Sequence, residues 1–201
     1  MQGLGAQSFA VDSMDTARRL CLRRPKRASH RRKSPGTELD GIVWRHVPRS
    51  AHPLHIGYIL LASRRWNRSG EYGCFYTSLT RAGVIAEYHK ELAKVSGIST
   101  EEDHPQDLVS IHVVAKHVLD LTKPSTRKGM GISLETITGH RFPDIDACRA
   151  MADLARLQGY RGILSPSAAA DGMKNLNLYI DGRADEVSLM EGVGREPLNY
   201  H

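Results

Sequence analysis

The order of strand-like and helix-like segments is the strongest constraint on how this chain can fold. The predicted strands are residues 41–47, 74–77, 108–114, 118–121, 162–165, 175–180 and 187–190, and the predicted helices are residues 82–93 and 144–159. Residues 56–62 are expected to be extended and residues 124–130 to form a basic loop. Because strands come in runs separated by single helices, we expect a single α+β domain with a mixed, mostly antiparallel sheet.

Both predicted helices have end signals. Ser78 or Thr80 can cap the start of the first helix, and Asp144 can cap the start of the second. Gly97 and Gly159 suit the two C-terminal ends, where a left-handed residue commonly stops a helix.

The strand predicted at residues 175–180 has two different faces. Leu176, Leu178 and Ile180 alternate with Asn175, Asn177 and Tyr179. Since successive side chains of a strand point to opposite faces, one face should be apolar and the other polar.

Positive charge is concentrated near the start of the chain. The protein has 28 Lys and Arg against 22 Asp and Glu, a formal net charge of +6. Nine basic residues and no acidic one lie in residues 18–33, so the rest carries 19 basic and 22 acidic residues. Such a run cannot bury enough apolar surface to offset its chain entropy.

We expect a disordered basic extension over residues 1–38, a folded domain over 39–190 and a polar tail over 191–201. The extension could contact nucleic acid weakly, an acidic partner or a translocation receptor, and the sequence does not choose among them.

Several kinds of protein and site are disfavoured by the composition. Three cysteines, at least fifty residues apart, cannot form a disulfide framework or a CxxC zinc site. The longest apolar stretch, residues 57–62, is far shorter than the roughly 20 residues of a membrane helix, and the first twenty residues lack the apolar core of a secretion signal. No GxGxxG, P-loop, HExxH or GxSxG motif occurs. We expect a cytoplasmic protein with no membrane segment, metal or prosthetic group.

Polar side chains around the short strands are the remaining candidates for chemistry. They are Arg45, Arg65, Tyr76, Glu87 and Ser167. Taken singly, each has an ordinary interpretation: a surface ion pair, an aromatic residue packed on a sheet, a serine in a turn. Glu87 is harder to explain in this way, because its helical neighbours Val84 and Tyr88 are apolar or aromatic. Its carboxylate should lie at the edge of a buried face, where it needs a cationic or hydroxyl partner.

Six short segments occur in a fixed order across most of the domain. They are WR at 44–45, RWN at 65–67 followed by Gly70, FYTS at 75–78, AE at 86–87, VLDLT at 118–122, and ILSPS at 163–167 with NLNLY at 175–179. Together they resemble the RES domain, a family named for its Arg, Glu and Ser residues and found as the toxin of bacterial RES–Xre toxin–antitoxin pairs. The resemblance extends from about residue 41 to residue 182.

Three positions depart from the family pattern. Arg64 stands where the family has a glycine before the motif arginine, and residues 52–57 replace a glycine-rich stretch. The family's glutamine near the second helix is replaced by Arg149 or is absent. Glycine lets a backbone approach a ligand closely, so Arg64 alters the surroundings of a ligand at this loop.

The resemblance implies a fold like that of ADP-ribosyltransferases and cleavage of the nicotinamide–ribose bond of NAD+, as a substrate and not a prosthetic group. Hydrolysis, phosphorolysis and ADP-ribosyl transfer stay open. The implied catalytic residues are Glu87, Arg65 and Ser167. Glu87 would stabilise positive charge that develops on the ribose, and Ser167 would bind the ribose or hold Glu87 in place.

The resemblance also implies a set of substrate-binding residues. Arg45, together with Arg65, would clamp the diphosphate through planar guanidinium groups. Tyr76 would stack on the nicotinamide ring, and Asn67 belongs to the motif next to Arg65.

A protein partner is implied as well. In the family the toxin is neutralised by an Xre-type helix-turn-helix antitoxin, so we expect an oligomeric complex with such a protein. The alternative is a catalytically inactive RES-like binding module whose basic extension contacts nucleic acid or an acidic partner.

Overall fold

Six strands and four helices make up the described part of the chain, which in the computed structural model comprises residues 36–54, 59, 61–94, 105–180 and 187–198. The strands are β1 (Thr37–Pro48), β2 (Gly73–Ser78), β3 (Gln106–Asp120), β4 (Gly162–Pro166), β5 (Lys174–Ile180) and β6 (Val187–Pro197). The helices are α1 (Arg81–Lys94), α2 (Pro124–Met130), α3 (Leu134–Thr138) and α4 (Phe142–Leu157). The α+β class is confirmed, but three consecutive helices, α2 to α4, separate β3 from β4 where the sequence predicts one.

The sheet closes on itself as a barrel. Its strands lie in the order β1, β2, β5, β4, β3, and β3 pairs with β1 to complete the ring, while β6 pairs with β3. Among the described strands only β3 and β4 run parallel, so the prediction of a mixed, mostly antiparallel sheet is confirmed. The closure is not foreseen by the sequence, because it depends on pairing between distant segments such as Trp44 and Ser110.

The long strand β3 corrects the prediction of two strands at 108–114 and 118–121. The chain stays extended through the polar residues between them, and His117 has a left-handed φ of 56°. Along one edge, β3 pairs with β6 as far as Ala115 and with β4 from Val118 onward. The polar interruption therefore marks the point where β3 changes its partner, not the end of a strand.

Apolar side chains fill the barrel and cover part of its outside. The barrel interior is filled by residues from all five strands of the ring, including Val43, Phe75, Ile111, Leu164, Leu176 and Leu178. Outside it, Tyr179 of β5 packs with Cys148 and Ala152 of α4. The alternation predicted for residues 175–180 is thereby confirmed. On another part of the outer surface, Val84 and Tyr88 of α1 pack with Leu108 of β3.

Two helices differ from prediction: the sequence predicts a loop in place of α2, and α4 begins differently. Residues 124–130 form α2 instead of a basic loop, because the fixed φ of Pro124 suits the first turn of a helix. Asp144 does not cap α4. The helix begins at Phe142 with Arg141 in the cap position, and the Asp144 carboxylate accepts a hydrogen bond of 3.0 Å from the Arg141 guanidinium.

Other end signals work as predicted. The Thr80 hydroxyl accepts the Gly83 N–H at 3.0 Å and caps α1, and Gly159 has a left-handed φ of 82° just after α4.

Strand β6 runs to Pro197, beyond the strand end expected at residue 190.

Some predictions concern residues that lie outside the described ranges. These include the basic extension before residue 36 and the helix end at Gly97. In the segment 56–62, expected to be extended, the described residues Ile59 and Leu61 lie in turns. None of the described helices is long and apolar enough to cross a membrane.

Candidate active site

A cleft lies between α1, the loop at residues 62–67, and strands β2 and β5. It consists of two adjoining cavities of about 90 and 280 Å³. The residues that line both cavities are Arg64, Tyr76, Glu87, Glu91, Asn175 and Asn177. Since these residues belong to four separate parts of the chain, the cleft is a product of barrel closure and of α1 packing beside it.

Glu87 is held at the junction of the two cavities by two donors. Its Oε1 accepts hydrogen bonds of 2.6 Å from the Ser167 hydroxyl and 2.6 Å from the Asn175 amide. The Ser167 oxygen in turn accepts the Ala169 N–H at 3.0 Å and the Ala170 N–H at 3.4 Å. Because these N–H groups occupy the lone pairs of the hydroxyl, its proton is directed at Glu87. Of the two kinds of partner expected for Glu87, cationic or hydroxyl, the structure supplies the hydroxyl of Ser167.

Asn175 and Asn177 complete the polar wall of the cleft. Asn177 is buried, and its amide donates to the Ile163 carbonyl and to the Ser165 hydroxyl, both at 3.3 Å. Neither asparagine is predicted from the sequence to have a role in the site. Their alternation with leucines on β5 could have indicated that they need hydrogen-bond partners, since polar residues on a half-buried strand do.

Tyr76 and Asn67 support the loop at residues 62–67. The Tyr76 hydroxyl accepts the Trp66 N–H at 2.8 Å and donates to Asn67 Oδ1 at 3.0 Å. The Asn67 amide donates to the Ala62 carbonyl at 2.6 Å. Burial raises the pKa of Tyr76 well above its ordinary value, so the hydroxyl is neutral. Its polar end is thus committed to the loop, while Tyr76 also lines the cleft.

Arg45 and His46 line the smaller cavity from β1. The Arg45 guanidinium is buried, lies 4.3 Å from the centre of the Phe75 ring and donates to the Pro53 carbonyl at 3.5 Å. Burial lowers the pKa of His46, against the opposing effect of Glu91, whose Oε2 lies 3.7 Å from Nε2. His46 is therefore neutral at pH 7.

The larger cavity is rich in cations. Arg64, Arg65, Lys90 and Arg149 line it, against the carboxylates of Glu87 and Glu91. The Lys90 ammonium donates to the Ala168 carbonyl at 2.8 Å. Four cations around two carboxylates give this cavity an excess of positive charge, which suits an anionic ligand group. The described residues hold no group of three or more His, Cys, Asp or Glu side chains that could bind a metal.

Arg65 uses its guanidinium to hold the segment after α3. One terminal nitrogen donates to the Ile137 carbonyl at 2.7 Å and the other to the Gly139 carbonyl at 2.8 Å. The structure thus brings Arg65 to the wall of the larger cavity, but both of its terminal nitrogens are bound to backbone carbonyls.

Comparison with known proteins agrees with the motifs. The family model of the RES domain matches residues 42–199. The chain belongs to the RES domain family. It is 26% identical over 148 residues to a probable NAD(+) phosphorylase of Mycobacterium tuberculosis, and the alignment covers 73% of this chain and 68% of that relative. Its fold is similar to that of a chain in the crystal structure of the M. tuberculosis MbcT–MbcA toxin–antitoxin complex, with a TM-score of 0.64, 20% identity, and coverage of 80% of this chain and 85% of that chain.

Every cleft residue described above lies inside the RES domain match. Arg64 and Arg149, which belong to two of the three departures noted in the sequence, also line the larger cavity. They contact each other, since Arg149 Nε donates to the Arg64 carbonyl at 2.9 Å.

Arg65→Lys is expected to lower the melting temperature by about 3–6 °C. A lysine cannot bond to both carbonyls as the planar guanidinium does. Losing one charged hydrogen bond costs about 1.5 kcal/mol of folding free energy. In a domain of this size, that loss corresponds to the stated shift in melting temperature. Arg127→Lys is the matched control, because Arg127 also donates to two carbonyls, those of Leu121 and Thr122, outside the cleft. Thermal unfolding of the wild-type protein, Arg65→Lys and Arg127→Lys measures the three melting temperatures. An unchanged midpoint for Arg65→Lys would show that the two bonds do not stabilise the fold.

Proposed function

We propose that this RES domain cleaves the nicotinamide–ribose bond of NAD+ and transfers the ADP-ribosyl group to inorganic phosphate. The observation that carries the proposal is the Glu87 carboxylate, held by Ser167 and Asn175 where a cation-rich cavity begins. The relative named as a probable NAD(+) phosphorylase supports the substrate and the acceptor.

Both kinds of charge that NAD+ carries have opposite partners among the residues of this cleft. The nicotinamide ring carries a positive charge on one side of the scissile bond, and the diphosphate carries two negative charges on the other side. Glu87 can face the former, while Arg65 and Lys90 can face the latter. If Arg65 contributes in this way, Arg65→Lys should lower turnover more than Arg127→Lys does.

The bond-breaking step needs a fixed negative charge near the ribose. The electron pair of the bond between ribose and nicotinamide leaves with nicotinamide, which becomes neutral, and positive charge develops on the ribose. Glu87 stabilises that charge, and its orientation by two donors avoids reorganisation during the reaction. A phosphate oxygen then supplies an electron pair to the ribose carbon, giving ADP-ribose 1″-phosphate, and any remaining phosphate proton equilibrates with solvent.

The other site residues take supporting roles in the proposal. Ser167 is a positioning residue for Glu87, and the Tyr76 ring stacks on nicotinamide while its hydroxyl holds the loop through Asn67. Arg45 binds substrate in the smaller cavity. The catalytic unit is assigned to residues 39–190, in a fold of the ADP-ribosyltransferase type, with NAD+ as substrate and no prosthetic group.

An antitoxin is the proposed partner. The fold likeness to a chain of a toxin–antitoxin complex supports a protein that binds this domain and blocks its activity, and we assign it to the Xre helix-turn-helix type in a cytoplasmic complex. Weak nucleic-acid contact through residues 18–33 is a separate proposal, which rests on their nine basic side chains.

Product analysis after incubation with NAD+ tests the proposed reaction. In phosphate buffer, chromatography should show nicotinamide and ADP-ribose 1″-phosphate in equal amounts. In a phosphate-free buffer, consumption should slow. Equal rates with free ADP-ribose as product in both buffers would replace phosphate by water as the acceptor. If NAD+ is not consumed in either buffer, the enzymatic proposal fails and the binding-module alternative takes its place.

A further inference from the structure

Arg64 occupies the junction of the two cavities, directly across from α1. It lines both of them, and its guanidinium carbon lies 5.6 Å from the centre of the Tyr76 ring. The guanidinium forms an ion pair with Glu91, one helical turn after Glu87 on α1, and 37% of the Arg64 side chain is exposed. A cation in this position is close to the carboxylate site and also open to solvent.

The partners of Arg64 differ in kind from those of Arg65. Within the described residues, the Arg65 guanidinium is bound to backbone carbonyls, which stay in place when a ligand enters. The Arg64 guanidinium is bound to the Glu91 carboxylate, a group that a phosphate resembles in charge and geometry. A guanidinium has five N–H donors, so it can bind a phosphate while it keeps a bond to a carboxylate.

The main chain at Arg64 is fixed, although its side chain is exposed. The Arg64 N–H donates to the Asn67 carbonyl at 3.2 Å, and the Arg64 carbonyl accepts from Arg149 at 2.9 Å. Asn67 is in turn bound by the Tyr76 hydroxyl. The guanidinium therefore projects from an ordered base, which reduces the entropy lost when it binds a ligand.

We propose that Arg64 binds the diphosphate of the substrate, with Glu91 as the counter-ion that orients it before the substrate binds. This inference rests on the proposed function and names the residue that sets affinity for the anionic part of NAD+. Arg64 is a specificity-determining residue and not a group at the reacting atoms, so its loss should act on binding much more than on the bond-breaking step.

Glu91 has a predictable effect on the same binding. Its carboxylate repels an incoming phosphate, while a glutamine in its place still accepts a hydrogen bond from Arg64. Glu91→Gln should therefore tighten the binding of an anionic ligand that has no nicotinamide cation.

Calorimetric titration with ADP-ribose tests the proposal, because this probe keeps the diphosphate and lacks nicotinamide. Arg64→Gln should weaken the binding of ADP-ribose at least about tenfold, since a charged contact to phosphate is lost. Glu91→Gln should strengthen it about threefold. The matched control is Arg68→Gln, which removes the same charge just after this loop, where Arg68 pairs with Asp146 and Asp153 of α4. Arg68 lines neither cavity, and its replacement should change the affinity less than twofold.

Steady-state kinetics separate this inference from the proposed function. Arg64→Gln should raise KM for NAD+ about tenfold and change kcat less than threefold, and Arg64→Lys should recover part of the loss. If the wild-type protein consumes NAD+ while Arg64→Gln keeps its KM and its ADP-ribose affinity, the role of Arg64 is wrong and the proposed function stands. If the wild-type protein neither binds ADP-ribose nor consumes NAD+, both are wrong. Thermal unfolding of each variant identifies a change that acts through folding.

Discussion

Replacing Glu87 by Gln is expected to reduce NAD+ turnover at least about a hundredfold while the protein stays folded. The two side chains have nearly the same shape, and the glutamine oxygen can still accept from Ser167 and Asn175, which lie 2.6 Å from the present carboxylate oxygen. What is lost is the negative charge, and preorganised charges at a developing ion are commonly worth several kcal/mol of transition-state stabilisation. Initial rates of nicotinamide release by the two proteins measure the effect.

Glu196→Gln serves as the control for this variant. Glu196 pairs with Arg81 at the start of α1, away from the cleft, so its replacement removes a carboxylate near the same helix without touching the site. It should keep turnover within about twofold. Near-normal turnover by Glu87→Gln would remove Glu87 from the mechanism.

The second large effect is expected for Ser167→Ala, which should lower kcat about thirtyfold. Without the hydroxyl, Glu87 loses one of its two donors and its fixed orientation, and a hydrogen bond to a charged group is worth about 2 kcal/mol, close to a thirtyfold change in rate. Ser167→Thr keeps a hydroxyl and should restore most of the activity. The measurement is kcat for the wild-type protein and both variants.

Ser110→Ala is the matched control for Ser167. Ser110 is also a buried serine, and its hydroxyl is hydrogen-bonded to the Gly194 backbone, with the N–H at 2.9 Å, and not to Glu87. Its replacement tests the general cost of losing a buried hydroxyl. Equal losses of kcat in Ser110→Ala and Ser167→Ala would mean that Ser167 acts through the fold and not through Glu87.

Local pattern was enough to predict much of the fold. Helix α1 follows from apolar residues at helical spacing and from the Thr80 cap, both of which depend only on neighbours in the sequence. The two faces of β5 follow from alternation. Barrel closure could not be predicted in this way, because pairing between β1 and β3 joins residues such as Trp44 and Ser110, whose meeting depends on packing of the whole sheet.

In the candidate site, too, local pattern predicts some features, while others depend on contacts between distant parts of the chain. The need of Glu87 for a cationic or hydroxyl partner could be predicted from the apolar residues around it on α1. Its second donor, Asn175, could not, because it comes from 88 residues away on β5. The two neighbouring arginines are another example: both are cations in one loop, yet Arg65 binds backbone carbonyls while Arg64 pairs with Glu91 in the cleft. Side-chain direction within a loop depends on the partners that the fold supplies, so residue type alone does not reveal it.

Proton NMR of NAD+ during incubation with the purified 201-residue protein in phosphate buffer tests the central claim most directly. The signals of NAD+ should decline while those of free nicotinamide rise in a one-to-one ratio. The decline should be at least about a hundredfold slower with Glu87→Gln, for the electrostatic reason given above. Unchanged NAD+ signals with the wild-type protein, or equal rates for the two proteins, would contradict the assignment of this cleft as the site of NAD+ cleavage.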